Sequence, residues 1–211
     1  MKYLYDPPLV FKGIFNDFIW NTFNEKILLT FDDGPTKASK EIILKKLDDL
    51  RLKGLFFLVG NNIKKNPSMT SEIISCGHMI GNHTSNHRTL TSINISETHR
   101  EIDDFNKYVF DNFGKKVRYF RPPHGKFRLN TKRILREKGM KNVMWSLLTY
   151  DYKNDLKTVK FAIGKYLRKN SIIVLHDSIK SEKIISDAIS LCCEIAAKKG
   201  LTFGEPGECL N

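Results

Sequence analysis

The stretch Lys26-Ile27-Leu28-Leu29-Thr30-Phe31-Asp32-Asp33-Gly34-Pro35 decides the fold. A short, mostly apolar run of strand character, Lys26 to Phe31, leads straight into two adjacent carboxylates and a Gly-Pro turn. Two acids in the middle of a buried strand would be prohibitively costly without a cation, so the charges mark the strand's C-terminal end. In βα architectures that end faces the functional site. The same residues also read as a solvated turn, and the segments around them must decide between the two.

Working outward, the chain alternates strand-like runs with stretches of helical spacing, which is the pattern of an α/β domain. Residues 38 to 53 predict a helix and Leu55 to Val59 a second strand. Pro67 opens another helix, with Asn66 before it as the preferred cap. Further strands are expected at His78–Asn82, Val117–Arg121, Asn142–Ser146 and Ser171–Leu175, with a short last one near Leu201–Phe203. Helices are expected near 94–113, 130–139, 155–169 and 181–199. The last shows Ile185, Ala188, Ile189, Cys192 and Ile195 on one face. This order predicts a single distorted (β/α) barrel of about seven parallel strands, with a doubly wound open sheet as the alternative.

The 211 residues suit one domain, and 41% hydrophobic content supplies a sizeable core, which excludes a disordered or collagen-like chain. No apolar run reaches the roughly 18 residues of a membrane span. Asp6-Pro7-Pro8 stands where a signal peptide would need an apolar core, so the chain reads as beginning at or near Met1 and as cytoplasmic. Thirty-five Lys and Arg against 23 Asp and Glu give +12, a charge that attracts polyanions, acidic glycans or an anionic membrane surface. The four cysteines form no C-x-x-C pair and read as buried small apolar residues in a reducing compartment. Residues 1–25 read as an N-terminal aromatic helical extension preceding a domain of residues 26–211. Its stripe of Phe11, Phe15, Phe18, Ile19 and Phe23, with Trp20, packs on the barrel in the plainer reading. In the other, residues 11–23 make peripheral membrane contact, although their flanks are not rich in Lys or Arg.

Three more segments place ionisable residues at strand ends. His83-Thr84-Ser85-Asn86-His87 carries two imidazoles four residues apart, a spacing that lets both converge on one cation from a helical turn. The glutamate of an H-E-x-x-H protease is missing, so an acid must come from elsewhere, and Asp32 and Asp33 are the obvious source. A zinc finger is disfavoured because the cysteine spacing is absent. Arg121-Pro122-Pro123-His124-Gly125 follows another strand, stiffened by two prolines, and its arginine could hold a carboxylate by a paired hydrogen bond. Ile172-Ile173-Val174-Leu175-His176-Asp177 again ends an apolar run in charge, and Asp151 offers a carboxylate that could orient His176 and favour its protonated form.

Taken together these segments resemble the polysaccharide deacetylase family, also called the NodB homology domain or carbohydrate esterase family 4, across residues 26–177. The motifs TFDDGP, HTSNH, RPPHG, Trp145 to Asp151 and LHD occur in the family's order. The resemblance implies a distorted barrel and removal of N-acetyl groups from the amino sugars of a chitin- or peptidoglycan-like glycan. It also implies one divalent metal, zinc first, with Co2+ or Ni2+ as alternatives. Carried over by position, Asp33, His83 and His87 would hold the metal. Asp32 would be the base that deprotonates the attacking water, with Arg121 orienting it. His124 would offer its backbone N–H to the oxyanion from the loop of Pro123, and His176, held by Asp151, would protonate the departing amine. Trp145 and Leu175 would form the acyl pocket. Three positions depart from the pattern: His124 stands where Tyr is common, Tyr152 where Trp is common, and Leu148 where many members carry an acid.

The partner implied is a carbohydrate, anionic or lipid-linked forms included, with no specific nucleic acid; the sequence leaves the oligomeric state open. O-acetyl ester or N-formyl hydrolysis is the close chemical alternative. A basic nucleic-acid-binding or scaffold protein would explain +12 but leaves the ordered strand-end acids and imidazoles unused. His78 and His99 match no motif and read as a strand residue and a helix-face residue.

Overall fold

The computed structural model describes residues 4–211, apart from the side chains of Ser39 and Lys40. Seven strands form one parallel sheet: β1 Leu28–Asp32, β2 Leu55–Leu58, β3 Met79–Asn82, β4 Tyr119–Phe120, β5 Lys141–Asn142, β6 Leu147–Leu148 and β7 Ile172–His176. Their spatial order is β5-β4-β3-β2-β1-β7-β6, so the first strand is an interior one, between β2 and β7, and the sheet extends from it to both sides. Curling of this sheet makes the distorted barrel.

Alternation along the strands divides the core. Leu29 and Phe31 of β1 and Ile173 and Leu175 of β7 join the large cluster under the helices, whereas Leu28 and Ile172 point to the other face. The inward phase therefore carries Thr30 and Asp32 on β1. Around the sheet, the helix Ile95–Phe113 illustrates how local chemistry sets boundaries. Asn94 Oδ1 accepts from Glu97 N–H at 2.8 Å, the Glu97 carboxylate accepts from Asn94 N–H at 2.9 Å, and Gly114 ends the helix with φ 64°. The helix Ile185–Lys198 buries Ile185, Ala188, Ile189 and Cys192; Ile195 is only half-buried and Ala196 takes the next core position. No helix of the described residues is long and apolar enough to cross a membrane. Cys76, Cys192, Cys193 and Cys209 are all free thiols, Cys192 and Cys209 buried.

Five sequence expectations are corrected. Leu201–Phe203 is not a strand but makes one bridge, Ile27 to Phe203. The expected strand 142–146 is instead two strands, β5 and β6, and this restores the number to seven. Residues between them leave the sheet because their carbonyls are claimed elsewhere: Arg121 donates to Val143 O and Met144 O. The helix of residues 38–53 is a π-helical segment, Ser39–Leu44, running into a short α-helix, Lys45–Asp49. Asn66 occupies the cap position before Pro67 without capping, since its side-chain amide donates to Asn62 O.

The N-terminal stripe is the fifth. Only Leu9–Ile14 is helical, and residues 18–22 run extended along the sheet. Ile19 N–H donates to Asn142 O and Ile19 O accepts from Met144 N–H; Thr22 N–H donates to Asn170 O, and Tyr5 O accepts from Leu148 N–H. The segment thus covers the open edges at β5 and β6, which have no pairing to each other. Phe18, Trp20 and Met144 form a separate buried cluster against Phe15, Phe127 and Trp145. Residues 1–3 of the expected extension lie outside the described residues.

Candidate active site

Parallel register brings the strand ends to one edge. Asp32 of β1 is the direct partner of His176 of β7, and Asn82 of β3 partners Phe120 of β4, so His83 and Arg121 leave the sheet side by side. A cleft of about 660 Å3 opens there. Asp32, Asp33, His83, His87, His124, Trp145 and His176 all contribute to its lining.

Asp33 Oδ1 stands 3.5 Å from His83 Nε2 and 3.1 Å from His87 Nε2. The three donor atoms lie within 4.8 Å of one another. Ligands at about 2.0–2.1 Å from a tetrahedral ion are separated by roughly 3.3 Å, so these are distances that a small divalent ion would span. His83 Nδ1 lies 2.7 Å from Arg121 O. A carbonyl can only accept, so Nδ1 carries the proton and the Nε2 lone pair faces Asp33. Burial opposes the charge of Asp33, but its close contacts with His83 and His87 hold its carboxyl well below the ordinary carboxylate range. The chemistry of this donor set, two imidazole nitrogens and a carboxylate, fits a divalent metal.

The imidazoles do not converge from a helical turn. Residues 83–87 form a loop in which Thr84 and His87 take φ 68° and 55°, and Asp33 itself has φ 77°. Positive φ at non-glycine residues persists only when neighbours over-determine it. Asn82 Oδ1 accepts from Thr84 N–H at 2.7 Å, the buried Glu101 carboxylate accepts from both Asn86 N–H and its side-chain amide, and Asn62 Nδ2 donates to Asp33 O.

Arg121 is completely buried. Its Nη1 donates to Asp32 Oδ1 and Thr30 Oγ1, both at 2.7 Å, while Nε and Nη2 go to Val143 O and Met144 O. The pair with Asp32 is therefore a single contact rather than the two-pronged one expected, because the remaining guanidinium donors tie the β5–β6 connection. The guanidinium also lies 4.2 Å from the centre of the Phe57 ring.

Across the cleft His176 Nδ1 sits 2.7 Å from Asp151 Oδ1, whose other oxygen accepts from His176 N–H at 2.7 Å. Burial alone would depress this imidazole, but the Asp151 charge and hydrogen bond push its pKa up to about 9. It stands as a cation at neutral pH. Asp151 is fully buried and acts through His176 rather than lining the cleft.

Two expected pocket residues are elsewhere. Leu175 belongs to the core under the helices, and Val174 lines the cleft in its place. A strand alternates faces every residue, so the residue sharing His176's face is two positions back, not one. Pro123 is buried and does not line the cleft. His124 is exposed with φ 57°, its ring edge-on to His87 at 4.9 Å, and its N–H bonds no described residue. Leu148 and Tyr152 line the cleft from the positions that depart from the family pattern, the Tyr152 ring 4.8 Å from His176. His78 precedes β3 and is buried; His99 lies in the helix Ile95–Phe113.

The sequence reading gave Asp177 no role. It is fully buried, donates its N–H to Asp32 O at 2.8 Å and accepts from Thr36 Oγ1 at 2.5 Å, clamping the Asp-Asp-Gly-Pro turn. A Cβ on Gly34 would collide with its Oδ2, which explains the glycine. The signal was present, since Asp177 follows His176 at the end of an apolar run.

The chain resembles known proteins in sequence and in fold. It is 31% identical over 192 residues to the peptidoglycan-N-acetylmuramic acid deacetylase PdaA of Bacillus subtilis, covering 88% of this chain and 72% of that one. It is 36% identical over 189 residues to chitin deacetylase 1 of Saccharomyces cerevisiae, covering 85% and 60%. It spans only 34% of the length of the peptidoglycan-N-acetylglucosamine deacetylase PgdA of Listeria monocytogenes, at 31% identity over 161 residues and 75% of this chain. The crystal structure of the Bc1960 peptidoglycan N-acetylglucosamine deacetylase superposes with a TM-score of 0.88 at 26% identity, covering 97% of both chains. Residues 21–143 match the family described as polysaccharide deacetylase. Fold, strand-end carboxylates and sequence agree that the chain belongs to the polysaccharide deacetylase family.

Proposed function

We propose that the protein removes N-acetyl groups from amino sugars of a glycan, with peptidoglycan as the substrate class and zinc as the metal. The observation that supports this reading best is the facing pair of opposed functions: a carboxylate base, Asp32, and an imidazolium acid, His176, flank the Asp33, His83 and His87 cluster. The relatives act on peptidoglycan amino sugars or on chitin, which supports an acetamido sugar as the group presented to the cleft.

When bound, the divalent ion supplies Lewis acidity toward the acyl oxygen and the attacking water. Asp33, His83 and His87 would hold it. Asp32 Oδ1 stays pinned by Arg121, so its carboxylate keeps one orientation as it accepts the proton of the water that attacks the acetyl carbon. The unengaged His124 N–H would donate to the developing oxyanion. The C–N bond then breaks as His176 delivers its proton to the departing nitrogen, leaving acetate and a free amine. Asp151 keeps that imidazole charged and correctly turned until transfer. Trp145, Leu148, Tyr152 and Val174 supply a small, largely apolar surface for the acyl methyl group.

The test incubates zinc-loaded protein with acetylated peptidoglycan fragments and with chitotetraose, measuring acetate and primary amine together. Equal release of both supports N-deacetylation. Acetate without amine would replace it with an esterase, and formate in place of acetate with a deformylase.

A further inference from the structure

A second cleft, of about 610 Å3, opens at the other end of the sheet, where β3 and β4 begin. It shares no lining residue with the catalytic cleft. Ile74, Ile80 and Pro206 give it an apolar surface, while Lys115, Lys116 and Arg118 add three exposed cations. None of the three has an acidic partner among the described residues. The one acidic side chain in the lining, Glu205, is turned to its own helix, where it accepts from the backbone of Glu208.

His78 supplies the directional element. It is 7% exposed and lines this cleft, and its Nδ1 accepts from Gly54 N–H at 3.1 Å. With Nδ1 occupied as an acceptor, the proton of the neutral ring must sit on Nε2, and no described residue accepts it. Burial and the nearby Lys53 charge lower this imidazole to about 4, so it remains a neutral donor through the physiological range. The ring as a whole is buried but this N–H is open to the cleft, so beside three exposed cations without acidic partners it offers an acceptor from outside one directed hydrogen bond.

The geometry points to an anion-binding site here for a phosphate monoester, its phosphoryl oxygens taken by His78 Nε2–H and the Lys115, Lys116 and Arg118 cations, its organic part resting on Ile74, Ile80 and Pro206. A phosphate monoester carries close to two charges and three acceptor oxygens, which match three cations and an N–H donor better than a singly charged carboxylate does. A small phosphorylated compound and a phosphate-bearing lipid headgroup share this chemistry. The site is independent of the deacetylase reaction.

The test uses the full chain labelled with 15N-histidine and three probes: inorganic phosphate, phenyl phosphate and vesicles containing phosphatidic acid. Phenyl phosphate is expected to bind saturably, more tightly than inorganic phosphate, and to shift the His78 Nε2 resonance. The surface variant Lys115→Glu/Lys116→Glu/Arg118→Glu should weaken binding by at least about tenfold. Deacetylation of chitotetraose should stay unchanged in that variant. Phenyl phosphate binding assigns a small ester; binding to vesicles alone, lost in the same variant, assigns a lipid headgroup. His78→Leu should weaken binding as well, and the surface variant decides the matter if that protein fails to fold. No saturable binding of any probe, or equal binding by wild type and the charge-reversed variant, overturns the proposal.

Discussion

Replacing Arg121 by methionine probes whether a buried charge pair or a set of carbonyl bonds sustains the catalytic end of the sheet. The guanidinium is fully buried, Asp32 is 5% exposed, and their nearest atoms are 2.7 Å apart. With charge centres about 4 Å apart and an effective dielectric of about 20, the attraction is about 4 kcal/mol. Methionine fills similar volume but leaves the Asp32 carboxylate unpaired and frees Val143 O and Met144 O, so a loss of about 3–5 kcal/mol is expected. Asp32→Asn strands the guanidinium instead. The double variant removes both charges together and should be less destabilised than the sum of the singles, by about 2–3 kcal/mol. Urea unfolding of the four proteins at pH 7 with chelator present reads this coupling. Turnover should follow the same logic: each single variant loses about 100- to 10,000-fold, and the double loses no more than the worse single, because Arg121 acts through Asp32. Additive stabilities within about 0.5 kcal/mol would refute the reasoning and leave Arg121 as a tie between strand ends.

His176 gives a pH signature. Its pKa is raised from 6.5 to about 9, so the charged ring stabilises the fold fully below about pH 6.5, and this contribution, roughly 3 kcal/mol, is lost as pH rises through 9. The melting temperature of metal-free protein should decline between these values, and Asp151→Asn should flatten that decline; an unchanged profile would discard the pairing. In turnover, loss of the acid should bring an alkaline fall that Asp151→Asn moves to lower pH. Asp33→Ala or His87→Ala should abolish stoichiometric zinc binding, measured by elemental analysis, and with it the rise in melting temperature on adding zinc; retained stoichiometry would place the ion elsewhere. Gly125 has φ 66°, and a Cβ there would collide with Trp145 Cη2. Gly125→Ala should therefore cost about 1–3 kcal/mol in urea unfolding and displace Trp145 fluorescence, with deacetylation falling more than tenfold; a normal rate would remove Trp145 from the acyl pocket.

Much of the site is legible in the linear chain because its chemistry is written in contiguous motifs at strand ends. An apolar strand that stops in Asp32-Asp33-Gly34, or in His176-Asp177, announces where charge meets solvent, and parallel βα winding gathers all such ends at one edge. The alternating order of elements suffices for the fold class for the same reason. Which residue of β7 faces the cleft is harder to read, since Ile172-Ile173-Val174-Leu175 is apolar on both faces and the pattern carries no phase. Only counting back from His176 selects Val174 over Leu175.

Sequence alone thus determined the parallel α/β architecture and the grouping of two acids, three imidazoles and an arginine, because both depend on residue type at a strand end. Tertiary structure decided the rest. The aromatic spacing of residues 11–23 imitates a helix, but residues 18–22 are drawn out straight by backbone bonds to Asn142, Met144 and Asn170, partners more than a hundred positions away. The same kind of long-range claim splits the expected strand 142–146, where Arg121 takes two carbonyls, and leaves Leu201–Phe203 with one bridge. Backbone groups at sheet edges bond whatever chain the fold brings alongside, and that neighbour is invisible in local periodicity.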